Sequence, residues 1–201
     1  MWAYLKTLEY PVNIKKRDLK MAKIMTSQYG GGQGELAAAI RYLNQRLTMP
    51  DDYGKALLTD IGTEELAHIE MLQTMIYQLT KGATIEEVKA AGLEPYYTEH
   101  QLDVFPVNAD GVFFTTAYIS SVGDVKANLV EDLAAEQKAR TTYDNILRLV
   151  DDPDVRDVIK FLRAREVVHY QRFGEGLRIA TDKMNSKNFY AFNLAFDKNC
   201  K

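Results

Sequence analysis

Residues 63–76 read TEELAHIEMLQTMI, a helical pattern that carries an acid and an imidazole within its apolar face. Glu65 and His68 are three residues apart, so both side chains project from one side of an α-helix. That side continues with apolar residues at helical spacing, namely Leu72, Met75 and Ile76. The segment therefore predicts a Glu-x-x-His unit that faces the protein interior.

The second half of the chain repeats this unit at Glu166 and His169. Each unit also has an acid thirty residues before it, Glu35 in the first half and Glu136 in the second. One acid from each of two helices, plus a Glu-x-x-His from each of two others, is the ligand set of a two-metal site in a four-helix bundle. The repeat predicts such a site.

Turn signals lie midway between the paired acids, at Pro50-Asp51 in the first half and Asp152-Pro153 in the second. If each turn joins two antiparallel helices, the paired acids lie roughly 22 Å from the turn at 1.5 Å rise per residue. The acids then face each other across a helical hairpin. Two such hairpins would bring all the candidate ligands to one level.

The predicted fold is all-α, a ferritin-like four-helix bundle with one long crossover between helices 2 and 3. A single domain is expected over residues 1–201, with the bundle at about 21–181, an apolar N-terminal leader and a C-terminal tail that docks through FYAFNLAF. The predicted helices are Met21–Leu47, Asp51–Leu79, Asp124–Val150 and Pro153–Thr181, with a short helix at Ile85–Ala90 in the crossover.

Four glycines between residues 30 and 34 interrupt the first predicted helix. Each costs about 1 kcal/mol relative to alanine inside a helix. We therefore expect a neighbouring backbone to approach closely there, or a local bulge to form. The alternative is that the helix begins near Gln33.

Bulk composition excludes several function classes. The net charge of −3, with both signs interspersed, leaves no basic stripe for nucleic acid and no polybasic membrane footprint. No stretch is long and apolar enough to span a membrane, and the first residues lack the pattern of a signal peptide, so the protein is expected to stay where it is made. The single cysteine, Cys200, is expected to be an inert thiol.

The buried acids require cations. Isolated charges in an apolar interior cost several kcal/mol each, and two divalent ions would balance four carboxylates, with neutral imidazoles completing the ligand set. These oxygen and nitrogen ligands suit manganese and iron alike, so the ligand types leave the metal open.

Other polar residues are interpreted from their positions relative to the candidate ligands. Tyr42, seven residues after Glu35, can hydrogen-bond a ligating carboxylate, or it can be an ordinary core tyrosine. His100 has no partner at ligand spacing and is expected on the surface. The remaining helical acids near the ligand faces are predicted to be solvated: Glu64, Glu70, Glu131 and Asp132.

Four segments resemble the metal-bearing helices of the manganese catalases: YGGGQGELAAAIRYLNQ, TEELAHIEMLQTMI, NLVEDLAAEQKARTTYDNIL and LRAREVVHYQRFGEGL. The leader MWAYLKTLEYPVNIKK and the motif RYLNQRLTMP resemble the spore-coat branch of that family. The likeness covers nearly the whole chain.

The resemblance implies a role for each candidate. Glu35 and His68 would bind one manganese, Glu136 and His169 the other, and Glu65 would bridge the two. Glu166 is similar to an acid that does not bind the metals but relays protons, and Tyr42 to a tyrosine that supports a ligand. Ala135 departs from the pattern, because some relatives have an arginine there.

The implied activity is dismutation of hydrogen peroxide to water and dioxygen with two manganese ions. A homo-oligomer, synthesis in the cytoplasm, assembly into the spore coat and contacts with other coat proteins are implied as well. Two alternatives remain open at this stage: a di-iron ferritin-like oxidase or peroxidase, and a structural coat protein with a weakly active metal site.

Overall fold

Seven α-helices make up most of residues 4–186, the part of the chain that the computed structural model describes. Two short 3-10 turns, at Arg46–Thr48 and Thr116–Tyr118, complete the helical segments. The helices are α1 (Leu19–Gly30), α2 (Glu35–Gln45), α3 (Asp52–Thr80), α4 (Ile85–Ala90), α5 (Glu94–His100), α6 (Val125–Leu149) and α7 (Pro153–Ser186).

Helix starts follow local chemistry. The side chains of Asp51 and Asp124 accept hydrogen bonds from the first backbone N–H groups of α3 and α6. Pro153 opens α7, where its missing N–H leaves no helical hydrogen bond unmade. The two predicted turns therefore lie where the sequence placed them, and they create the hairpins α2–α3 and α6–α7.

The four-helix bundle is formed by α2, α3, α6 and α7, and the predicted all-α ferritin-like fold is confirmed. Helix α1 packs against α3, where Gln73 donates to the Tyr29 hydroxyl at 3.1 Å. Two apolar clusters fill the interior, one around Ile61 and Phe173 and the other around Leu72 and Ile159. The candidate metal ligands lie between these two clusters.

The first predicted helix, Met21–Leu47, is divided into α1 and α2 at the glycine segment. A Cβ on Gly30 would lie 2.3 Å from the backbone carbon of Pro106, so only glycine admits the crossover here. Close approach of a backbone was expected, but the unbroken helix was wrong. The second half, α2, begins at Glu35, two residues after the alternative start near Gln33.

The long crossover runs from Thr80 to Val125 and contains α4 at its predicted position. Helix α5 was missed because Pro95 suggested a loop, although proline is compatible with the first turn of a helix. His100 is not a simple surface residue: its side chain is 17% exposed and its ring stacks on Phe105 at 3.9 Å between centroids.

In residues 4–186 we find no helix both long and apolar enough to cross a membrane. The tail segment FYAFNLAF and Cys200 lie outside the described residues, so docking of the tail stays a prediction, as does the extent of the domain.

Candidate metal centre

Six ionisable side chains from four helices meet in the middle of the bundle. Each is at most 1% exposed. Helix α2 contributes an acid at its first residue, α6 contributes one near its middle, and α3 and α7 each contribute an acid and an imidazole. The six are Glu35, Glu65, His68, Glu136, Glu166 and His169.

Glu65 lies at the centre of the arrangement. Its Oε2 is 2.9 Å from Nδ1 of His68, and its Oε1 is 2.9 Å from Nδ1 of His169. The two imidazole rings are 5.7 Å apart between centroids and inclined by 22°. One carboxylate thus faces two ligand nitrogens, one with each oxygen.

The ligand atoms form two groups, each within 4.8 Å overall. One group adds Glu35 and His68 to Glu65 and Glu166, and the other adds Glu136 and His169 to the same two acids. Glu166 occupies both groups as Glu65 does, but it makes no comparable contact with the imidazole nitrogens, and its Oε1 lacks a hydrogen-bond partner among the described residues.

Burial dominates the electrostatics of three acids. Removal from water, together with the neighbouring Glu65 carboxylate, raises the pKa of Glu35 to about 8. Burial also raises the pKa of Glu136, and it raises that of Glu166 well above its ordinary value, with Glu35 and Glu136 adding to the effect. In the absence of cations, burial therefore favours the protonated form of these three acids.

The pKa of Glu65 is lowered and the pKa values of the two imidazoles are raised, so the charged forms of all three groups are favoured. Burial alone would raise the pKa of Glu65, but His169 and His68 outweigh burial and hold it below its ordinary value. Burial would lower the pKa of His169, yet Glu65 and its neighbours raise it to about 12, and the pKa of His68 is also raised. Of the four acids, Glu65 is the one whose charged form is favoured.

The residues present fit a pair of divalent cations. Several buried ligand atoms lack a hydrogen bond of normal geometry within residues 4–186, among them Glu136 Oε2, Glu166 Oε1 and His169 Nδ1. Four carboxylates and two imidazoles supply oxygen and nitrogen donors of the kind that manganese and iron accept. Two cations would neutralise the carboxylates and satisfy these atoms.

Two buried tyrosines make hydrogen bonds from one hairpin to the other. The Tyr42 hydroxyl donates to Glu136, and the Tyr143 hydroxyl donates to Glu35. The expected partner type for Tyr42, a candidate ligand carboxylate, is present, but it lies on the opposite hairpin rather than seven residues earlier on the same helix. Each tyrosine fixes the orientation of an acid that the other half supplies.

Glu64 was predicted to be solvated, and that prediction was wrong. Its side chain is 15% exposed, with Oε2 3.2 Å from Nε2 of His169 and Oε1 3.7 Å from Nε2 of His68. Arg165 holds the same carboxylate through two nitrogens, Nε and Nη2. One acid thus faces the outer nitrogen, Nε2, of both imidazoles. This contact turns the inner nitrogen, Nδ1, of each ring towards the centre of the site.

The leader adds an acid to this outer side. Glu9 Oε2 lies 3.6 Å from Nε2 of His68, and its carboxylate is 31% exposed. Tyr10, the next residue, donates to Asp157 at 2.9 Å and its ring stacks on Phe161, so the leader is held against α7. Among the described residues, Glu9 and Glu64 are the acids that face the outer nitrogen of His68.

Asp132 is the second acid wrongly predicted to be solvated. It is fully buried on α6, one helical turn before Glu136, and burial raises its pKa well above the ordinary value. The four-residue spacing of Asn128, Asp132 and Glu136 was visible in the sequence. That spacing places all three on one face of the helix.

Replacing Glu64 by Gln is expected to weaken metal binding by roughly 10–100-fold, the usual cost of losing a carboxylate that orients a ligand histidine. Equilibrium dialysis against buffered Mn²⁺ measures the change. Asp60→Asn is the matched control, because Asp60 pairs with Arg172 across the same two helices but contacts neither histidine. Equal affinities for the wild type and Glu64→Gln would contradict the orienting role.

Metal binding at pH 7 is expected to release at least two protons per chain. Glu35, with a pKa of about 8, and His169, with a pKa of about 12, are protonated in the metal-free protein at that pH. Both must lose the proton to act as ligands. Because the free protein holds protons that the loaded protein lacks, affinity should rise with pH. Calorimetry in buffers of different ionisation enthalpy counts the protons, and a count near zero would contradict these pKa shifts.

The fold and the centre define a class: helical bundles whose core carries carboxylates and histidines arranged as two potential metal-binding groups. Residues 1–198 match the family described as manganese containing catalase, and the chain belongs to that family. The resemblance drawn from the four helical segments is confirmed.

Individual relatives support the family assignment. Protein CotJC of Bacillus subtilis is 50% identical over 190 residues, which cover 94% of this chain and 100% of that one. A probable manganese catalase of Clostridium acetobutylicum is 35% identical over 178 residues, 89% of this chain and 79% of that one. The crystal structure of KatB, a manganese catalase from Anabaena, superposes with a TM-score of 0.83 at 29% identity and covers 90% of this chain and 81% of that one.

Proposed function

We propose that the protein dismutates hydrogen peroxide to water and dioxygen at a pair of manganese ions. The observation that carries this proposal is the pair of buried ligand groups that share Glu65 and Glu166. Membership of the manganese catalase family supports manganese over iron. When bound, two manganese ions would supply the redox chemistry, taking up the two electrons that one peroxide loses in forming dioxygen and returning them to the peroxide that forms water.

In this proposal Glu35 and His68 would hold one ion, Glu136 and His169 would hold the other, and Glu65 would serve both. The closest contacts of Glu65, 2.9 Å to each Nδ1, suit a carboxylate that serves both groups. Tyr42 and Tyr143 keep the two terminal acids aligned through their hydrogen bonds. These contacts fix the ligands before a substrate arrives.

Glu166 is the proton-handling residue of the proposed site. Peroxide must lose protons to become dioxygen and gain them to become water, so the site needs a group that takes and returns them. The buried Glu166 carboxyl has a raised pKa and an unpartnered oxygen, which suits a group that takes up and returns a proton.

We also propose that the protein is a spore-coat component that acts as a homo-oligomer, made in the cytoplasm and assembled with other coat proteins. Support comes from the similarity to Protein CotJC along nearly the whole chain and from the leader and RYLNQRLTMP motifs. Fractionation of spores with an antibody against the protein tests the location.

One experiment separates the proposed function from its alternatives. Protein produced with both manganese and iron available is purified, its metals are counted by elemental analysis, and oxygen evolution from hydrogen peroxide is recorded with an electrode. Two manganese ions per chain and steady oxygen evolution support the catalase. Bound iron with little oxygen would indicate the di-iron oxidase or peroxidase, and bound manganese with negligible turnover would indicate a structural coat protein.

A further inference from the structure

A second set of buried polar residues lies beside the metal centre, between α2 and α6. On α6, Asn128 and Asp132 precede Glu136 at intervals of one helical turn, and both are fully buried. On α2, Arg41 is 3% exposed and Gln45 is fully buried. We call Arg41, Gln45, Asn128 and Asp132 the polar row.

Much of the hydrogen-bonding capacity in the polar row is unused by protein atoms. Both carboxylate oxygens of Asp132, both amide atoms of Gln45 and Nδ2 of Asn128 lack a hydrogen bond of normal geometry within residues 4–186. Burial raises the pKa of Asp132, while a distorted hydrogen bond from Gln45 and the charge of Arg41 lower it without outweighing burial. Buried polar groups of this kind are normally satisfied by ordered water.

The polar row has an end near the surface and an end at the centre. At the outer end, the Asn128 side chain accepts from the backbone N–H of Val122, a residue whose side chain is 69% exposed, at 3.1 Å. Arg41 donates to the carbonyl oxygens of Tyr118 and Ile119, which holds the same loop. At the inner end, Tyr42 follows Arg41 and donates to Glu136.

The other half of the molecule has no equivalent row. Each ligand of the first half has a counterpart 101 residues later, so the counterpart of Asp132 is Gly31 and that of Gln45 is Ile146. Ile146 is buried in an apolar cluster with Tyr143. Beside Tyr143 the buried polar side chain is Gln28, which donates to the carbonyl oxygen of Ala139. The Tyr42 side therefore has a row of four buried polar residues where the described part of the Tyr143 side has this one.

We propose that the polar row is a path for water and protons between the loop at residues 118–123 and the ligand Glu136. This inference deepens the proposed function, on which it rests. Water in the row would satisfy the unpartnered atoms and connect Asp132 with the Tyr42–Glu136 hydrogen bond. Because the polar row is present in one half only, water and protons would move along one side of the bundle.

Two substitutions block the path from opposite helices, Asp132→Leu and Gln45→Leu. Thr80→Val is the control, because Thr80 is also a buried polar residue but lies at the far end of α3 and hydrogen-bonds its own helix. Each protein is loaded with Mn²⁺, its metal is counted, and the relaxation rate of bulk water protons per bound manganese is measured by NMR. This rate depends on exchange of water and protons between the ions and bulk solvent, and it requires no turnover.

We expect both Leu variants to keep two manganese ions and to lower the relaxation rate by about half or more, since ordered water no longer bridges the row. Turnover of peroxide should fall at least about tenfold, less than the roughly 10²–10⁴-fold contributed by a group that transfers protons directly. Thr80→Val should match the wild type. If Asp132→Leu does not fold, Gln45→Leu decides the matter.

Wild-type relaxation rates in the loaded Leu variants would overturn the path. A wild type that binds manganese but evolves no oxygen would instead refute the proposed function, and the relaxation comparison would still test whether water reaches the ions along the row. The two failures are therefore distinguishable.

Discussion

Glu65→Gln is expected to remove both metals and all measurable oxygen evolution. Glu65 belongs to both ligand groups, and each of its oxygens lies 2.9 Å from an imidazole Nδ1. The amide of Gln is neutral and offers one acceptor oxygen, so it can serve only one side. The loss of affinity should exceed the roughly 10–100-fold expected for a residue that merely orients a ligand.

Metal content after dialysis and oxygen evolution measure the Glu65→Gln effect. Glu131→Gln provides the control, since Glu131 pairs with Lys138 at the surface of α6 and should retain two ions and full activity. Retention of both manganese ions by Glu65→Gln would remove the central ligand from the proposed site.

Glu166→Gln should separate metal binding from turnover. Gln preserves the shape of the side chain but cannot take up and return a proton, so both ions should remain while turnover falls on the order of 10²–10⁴-fold. The expectation follows from the position of Glu166 in both groups, its burial and its unpartnered Oε1.

Elemental analysis and the initial rate of oxygen evolution on the same preparation test this second prediction. Glu175→Gln, a change in the same helix, is the control. Unchanged turnover would exclude Glu166 from proton handling, and loss of one or both ions would show that it acts as a ligand instead.

The hairpins and the six candidate residues were predictable because they depend on spacing along single helices. Thirty residues of separation about a turn bring Glu35 level with Glu65, and a three-residue step aligns Glu65 with His68. Caps at Asp51 and Asp124 and a proline at the start of α7 are local signals that the structure reproduces.

Apart from the four-residue step from Glu64 to His68, the missed features depend on contacts between distant segments. Glu64 meets His169 only because α3 packs against α7, and no spacing within one helix contains that contact. Asp132 shares a face of α6 with Glu136, but this spacing does not show which part of the face is covered by another helix, and here the α2 residues Arg41 and Gln45 lie against it. The break between α1 and α2 depends on Pro106, which approaches Gly30 from the crossover.

The crossed tyrosine contacts have a consequence for how the molecule could have arisen. Tyr42 serves an acid of the second hairpin and Tyr143 serves an acid of the first, so neither hairpin holds its own terminal ligand in place. Two identical hairpins related by a twofold axis would make the same reciprocal contacts across their interface. Fusion of two such hairpins into one chain would produce these reciprocal contacts, in which each half aligns a ligand of the other.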